Sequence, residues 1–162
     1  MKFHVFSTIA VAVLMAVSCQ PNTEKEEEAV MSVLQAESDA LLAGDFESFE
    51  VLHTQSALET RIEMGIYGYS VYKGWDRVSG LIRDFLEGER MENVENKKEN
   101  CIVHVNGNSA WVTCDNVWYN SSSNEIYYNN LQIAFLEKRS GAWKISFSAY
   151  YTKGDRNEMT IH

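Results

Sequence analysis

The chain has 162 residues and a formal charge of −9, with 23 acidic side chains against 14 basic ones. That length suits one domain, and the acidic balance excludes nucleic acid and anionic lipid as natural partners. Three cysteines and four scattered histidines show no CxxC or HxxxH spacing, so no metal site and no cofactor is expected.

Met1 to His4 is a short basic start, and Val5 to Val17 is an apolar run broken only by Ser7 and Thr8. This suits a signal-peptide core and is too short for a bilayer-spanning anchor. The run closes on Ala16-Val17-Ser18-Cys19, which resembles the bacterial lipobox. The resemblance implies removal of residues 1–18 and acylation of Cys19, with an ordinary cleaved signal peptide as the alternative. Losing Lys2 would take the charge from −9 to −10. Residues 19–28, polar and Glu-rich, read as a lipid-anchored tether. The expected location is the bacterial cell envelope, periplasm-facing or at the surface, with membrane contact through the anchor only.

A first helix is expected over about Glu24 to Ala43, with Val30, Val33, Leu34 and Leu41 at helical spacing. Glu37 falls inside that stripe. Gly44-Asp45 reads as a left-handed stop followed by a capping restart. A short second helix, about Phe46 to His53, places Phe46, Phe49 and His53 on one face. Leu58, Thr60, Ile62 and Met64 alternate, Gly65 and Gly68 interrupt, and Tyr67, Tyr69 and Tyr72 follow, so two short strands or a strand and a ribbon are expected. A third helix from Gly74 lines up Trp75, Val78, Ile82, Phe85 and Leu86. The charged stretch Glu89 to Glu99 reads as a loop. From Cys101 to Thr152, runs rich in Val, Ile, Trp, Tyr and Phe alternate with turn residues, the pattern of an antiparallel meander of four long strands. Residues 153–162 are left as a C-terminal tail. Helices followed by strands mean an α+β fold.

Four segments, in order, carry a resemblance: Ala43-Gly44-Asp45-Phe46, Lys73-Gly74-Trp75-Asp76, the Val105 to Thr113 hairpin and Gly141-Ala142-Trp143-Lys144-Ile145. Together they resemble the nuclear transport factor 2-like superfamily, and SnoaL-like small bacterial domains within it, over about residues 24–152. The resemblance implies a cone: a curved antiparallel sheet wrapped around three N-terminal helices, with a pocket at its open end and a homodimer formed through the sheet. Isomerases, dehydratases and binding modules share that fold, so it does not fix a function.

Alternation turns Val103, Val105, Ala110 and Val112 toward the helices, and the same face continues through Cys114 to Asn116 and Trp118. In the last strand Trp143, Ile145, Phe147, Ala149 and Tyr151 form the apolar face. Asn116 and Trp118 are thus candidate ligand-binding residues, or else a satisfied buried Asn and a core Trp. Tyr67, Tyr69, Trp75 and Tyr151 are further candidates for an aromatic lining. Glu37, a carboxylate on an apolar stripe, could carry a raised pKa and move protons with His53, as the catalytic pair of an isomerase or dehydratase. The leading expectation is a pocket for a small, partly apolar ligand without confirmed chemistry. The alternatives are that enzyme, or an interaction module presenting Trp111, Tyr119 and Tyr150 on the outer sheet face. Counting outward from Val105 opposite Ala110 sets Cys101 opposite Cys114, within disulfide reach; two buried thiols are the alternative.

Overall fold

A computed structural model describes residues 23–88 and 92–152. Met1 to Cys19, the tether up to residue 22 and the tail 153–162 lie outside the described residues. The first helix, α1, spans Thr23–Ala43 and buries Val30, Leu34, Glu37, Ser38 and Ala40. Gly44, at φ 71°, ends it, a left-handed position that Gly fills without a Cβ clash. The Asp45 side chain then accepts from the Ser48 N–H at 3.0 Å and starts α2, Phe46–Glu50. That helix is shorter than the sequence pattern suggests. His53 lies beyond it and pairs with Ile145 as an isolated bridge.

Next come β1 (Thr60–Gly65), β2 (Gly68–Lys73), α3 (Trp75–Glu87), β3 (Val94–Asn106), β4 (Ser109–Asn120), β5 (Ile126–Arg139) and β6 (Ala142–Thr152). They form one curved α+β sheet in the order β2-β1-β6-β5-β4-β3. Its six strands are the expected four-strand meander plus the β1–β2 hairpin, but β1 joins β6 in parallel. The charged stretch expected as a loop is strand from Val94 onward. The physical reason is its alternation: Glu95, Lys97 and Glu99 meet water while Asn96 and Lys98 turn inward, half-buried.

Two apolar clusters hold the layers together. Val30 and Leu34 of α1 pack on Ala110, Val112, Cys114, Ala134, Leu136, Trp143 and Ile145. The small residues at the centre of the sheet let the helix approach closely. Ala40, Phe49 and Ile82, with Leu41, Phe46, Trp75 and Leu86, join the three helices to each other. Cys101 and Cys114 are disulfide-bonded, with Cα atoms 4.2 Å apart. Val105 does face Ala110, but the register shifts between Glu99 and Ile102, so Cys101 reaches Cys114 from within a bulge.

A second bulge decides what faces the interior of β6. Leu136 pairs with Ile145 and Phe135 with Phe147, leaving Ser146 as the extra residue. Trp143 and Ile145 face the helices before it; Ser148 and Tyr150 do so after it. An uninterrupted alternation would have turned Tyr151 inward and Tyr150 out. Instead Tyr150 is buried and Tyr151 is 40% exposed, because one inserted residue flips every later side chain.

Candidate functional site

The interior beyond the apolar clusters is polar. Glu37 and Ser38 come from α1, His53 from the segment after α2, and Glu59 from the residue just before β1. Arg61 of β1, Lys98 of β3, Asn116 of β4, Gln132 of β5 and Tyr150 of β6 complete the set. All except Lys98 are buried, and Lys98 is half-buried. Glu37 is 1% exposed because it lies one helical turn from Leu34, on the face that α1 presents to the sheet.

The contacts form one connected network. Glu37 accepts from the Tyr150 hydroxyl at 3.0 and 3.2 Å, from Arg61 Nη1 at 3.4 Å and from Gln132 Nε2 at 3.4 Å. His53 Nε2 stands 3.6 Å from Glu37 Oε1, an ion-pair separation longer than a hydrogen bond. On its other side His53 Nδ1 meets Glu59 Oε1 at 2.7 Å, and Glu59 also accepts from the Thr54 hydroxyl and the Gln55 N–H. Arg61 Nε donates to Glu63 at 2.6 Å, and its guanidinium carbon lies 4.3 Å from the Tyr150 ring centre. Lys98 Nζ donates to Ser38 Oγ, Asn116 Oδ1 and Gln132 Oε1 at 3.0, 3.0 and 2.9 Å.

These surroundings set the charges. Burial pushes the Glu37 carboxyl up, but the His53 imidazole, Arg61 and Lys98 outweigh it and hold the pKa down at about 2. The raised pKa expected for a proton carrier is therefore reversed, because the sequence pattern concealed the cations around it. Burial would lower His53, yet the carboxylates of Glu37 and Glu59 raise it. Burial lowers Lys98 to about 8, with the Glu37 and Asp39 charges opposing. Burial and the adjacent Glu37 charge raise the Tyr150 phenol well above its usual value.

Above this network lies a half-enclosed cavity of about 320 Å³, at the lower end of the range for small-molecule sites. Leu41, Leu81, Ile82, Phe85, Trp118 and Tyr128 form its walls. Ser38, Arg61, Asn116, Asn130 and Tyr150 form a polar floor, with Glu63 and Thr152 completing the lining. Among the described residues, no cluster of His, Cys, Asp and Glu could hold a metal ion.

The sequence candidates divide accordingly. Asn116 and Trp118 line the cavity. Glu37 and His53 do approach each other, but both lie behind the floor, and neither is on the lining. Trp75 is packed among Phe46, Phe49 and His53, with ring centres 6.3, 6.5 and 5.5 Å away, so it is core. Tyr67 and Tyr69 are 97% and 75% exposed on the β1–β2 hairpin. They border an open depression beside Glu63 and Thr152. Tyr151 points away from the cavity for the reason given by the β6 bulge. Arg61, Lys98, Gln132, Tyr150 and Glu59 are functional candidates that the sequence reading missed. Glu59, Arg61 and Glu63 do alternate, but so do Leu58, Thr60, Ile62 and Met64, and the apolar members of that second set mark the opposite face as the buried one.

No family model matches the chain, and no curated protein matches it. Solved structures do. A candidate dehydratase of the nuclear transport factor 2-like family from Streptomyces avermitilis superposes with a TM-score of 0.68 at 16% identity, over 82% of this chain and 99% of that one. The fold is nuclear transport factor 2-like. A ketosteroid isomerase-like protein from Erwinia carotovora atroseptica gives a TM-score of 0.60 at 14% identity, over 81% of this chain and 98% of that one. The association domain of calcium/calmodulin-dependent protein kinase II from C. elegans gives 0.63 at 19%, over 79% and 96%. A nuclear transport factor 2-like sheet thus carries the polar floor described above.

Proposed function

We propose that this chain is a binding domain whose cavity takes up a small, partly apolar molecule, held at the cell envelope by a lipid on Cys19. The observation that carries the binding reading is the cavity itself: apolar walls over a floor of hydrogen-bonded, fixed polar groups. Structural relatives called a dehydratase candidate and a ketosteroid isomerase-like protein keep an acid–base reaction in view. Against it, Glu37 is held ionised by its cations, and neither Glu37 nor His53 reaches the lining. A base of pKa about 2 accepts a proton poorly at neutral pH. The envelope placement rests on the sequence of residues 1–19 alone.

A second reading has its own support. The sheet face turned away from the helices exposes Ile102, Trp111 and Phe135 at 60%, 37% and 48%, and one structural relative is an association domain. Self-association through that face is compatible with an occupied cavity. A thermal-shift panel of small apolar acids, alcohols and ketones on the full chain tests the binding reading. At least one compound class is expected to raise the midpoint by several degrees; a panel in which nothing stabilises the protein removes it and leaves self-association as the better account.

A further inference from the structure

The polar floor has a direction, and Lys98 sets it. An ammonium only donates, so the atoms facing Lys98 Nζ must be acceptors: Asn116 Oδ1, Gln132 Oε1 and Ser38 Oγ. That choice orients each amide. Asn116 must turn Nδ2 outward, where it donates to Asn130 Oδ1 at 2.9 Å. Gln132 must turn Nε2 toward Tyr150 Oη, at 2.9 Å. The Tyr150 oxygen then accepts from Gln132 and gives its own proton to Glu37. Ser38 gives its proton to the Leu34 carbonyl, at 3.5 Å.

Among the described residues the amide oxygens of the floor are thereby engaged. What the floor amides and Arg61 keep toward the cavity are donors, while acceptor oxygens remain on Glu63 and Thr152 at its edge. Asn130 lines the cavity, and its Nδ2 makes no hydrogen bond among the described residues. Arg61 uses Nε on Glu63 and Nη1 on Glu37, leaving the N–H groups of Nη2. Charge points the same way. Two cations, Arg61 and Lys98, stand in or just under the floor; the buried carboxylates Glu37 and Glu59 lie behind it, on either side of His53. Among the described residues Glu63 is the lining's only carboxylate; its side chain is 39% exposed and already paired with Arg61.

We propose that the cavity takes a monocarboxylate with an apolar body, its head received by the N–H groups of Arg61 and Asn130 and its body lying against Leu81, Phe85 and Trp118. The inference rests on the binding reading above and adds the chemical class. Carboxylates match a guanidinium edge in charge and geometry, and a neutral amide head would bring N–H groups against a surface that is already donating.

The test is calorimetric titration of the full chain with six- to ten-carbon straight-chain acids and 4-phenylbutyrate, each beside its primary amide. Acids are expected to bind at least roughly tenfold tighter than their amides, the scale of one charge-assisted hydrogen bond. Asn130→Asp keeps the oxygen that accepts from Asn116 and replaces the donor with a negative oxygen. It should weaken the acids by roughly tenfold or more, leave the amides bound as well or better because their N–H groups gain an acceptor, and keep the thermal midpoint close to wild type. Arg61→Gln should do the same to the acids, but it disturbs the Glu37 pairing, so Asn130→Asp is the deciding variant. Amides binding as tightly as acids, or acids indifferent to Asn130→Asp, would overturn the carboxylate assignment while the pocket reading stands. Binding by neither series would remove both.

Discussion

Replacing Glu37 with Gln separates a structural carboxylate from a catalytic one. The side chain is 1% exposed and neutralises Arg61 and His53 at 3.4 and 3.6 Å. Gln keeps the shape and one acceptor but leaves Arg61 to Glu63 alone and His53 to Glu59 alone, so the loss should fall at or below the low end of the roughly 3–5 kcal/mol for breaking a buried pair from one side. The acid limb gives an independent figure. A carboxyl held at about 2 against an ordinary 4.5 contributes roughly 3 kcal/mol of stability near neutral pH. Because the folded pKa is depressed, that stability is present above about 4.5 and is lost as pH falls through about 2. Urea unfolding followed by Trp fluorescence should therefore show the variant less stable by roughly 3 kcal/mol at pH 7, with the gap narrowing by about half at pH 3. Binding of 4-phenylbutyrate should be kept or strengthened, since Glu37 is off the lining and its loss frees Arg61 Nη1 and removes a negative charge from behind the carboxylate head. An equal stability of the two proteins at pH 7, or a gap that stays constant down to pH 3, would refute the charge assignment. Retained stability together with lost turnover of some substrate would instead revive the enzyme.

Three further outcomes follow from the same structure. Mass spectrometry of unreduced, alkylated protein should find Cys101 and Cys114 unmodified, and replacing both by Ala should cost at most about 3 kcal/mol, the scale for a short closed loop; two alkylated thiols would rule the bridge out. Cys19→Ser should release the protein from the membrane fraction, and a variant that stays membrane-bound at unchanged size would remove the lipid anchor. Phe135→Glu, at an exposed position that stacks edge-on with Phe147 at 5.6 Å, should shift any dimer to monomer in sedimentation with less than about 1 kcal/mol lost in the fold. An unchanged sedimentation coefficient would clear this face of a role in assembly.

The helices, the hairpin and the inward face of β4 were legible because each shows one clean period. Ala110, Val112, Cys114, Asn116 and Trp118 alternate without interruption, and the structure keeps that face intact. Legibility ends at the bulges. Ser146 exchanges the roles of Tyr150 and Tyr151, and the irregularity at Asn100 and Cys101 hides that Lys98 shares an inward face with Val103 and Val105. No local pattern marks a bulge, because it is fixed by the register of the partner strand. The charge state of Glu37 was hidden for a related reason. Its cations arrive from positions 24, 16 and 61 residues further along the chain, brought together only by the sheet.

A cavity that is a ligand site, and not a packing gap, should lose its ligand when it is narrowed. Leu81 lies on its wall, and Leu81→Trp would push an indole into the 320 Å³ space and narrow it. Calorimetric titration of 4-phenylbutyrate into wild type and Leu81→Trp measures this directly. Binding to wild type is expected, with at least a roughly tenfold loss in the narrowed variant and a thermal midpoint equal to or above wild type as the space shrinks. Equal affinity in both proteins would place the ligand elsewhere and contradict the claim.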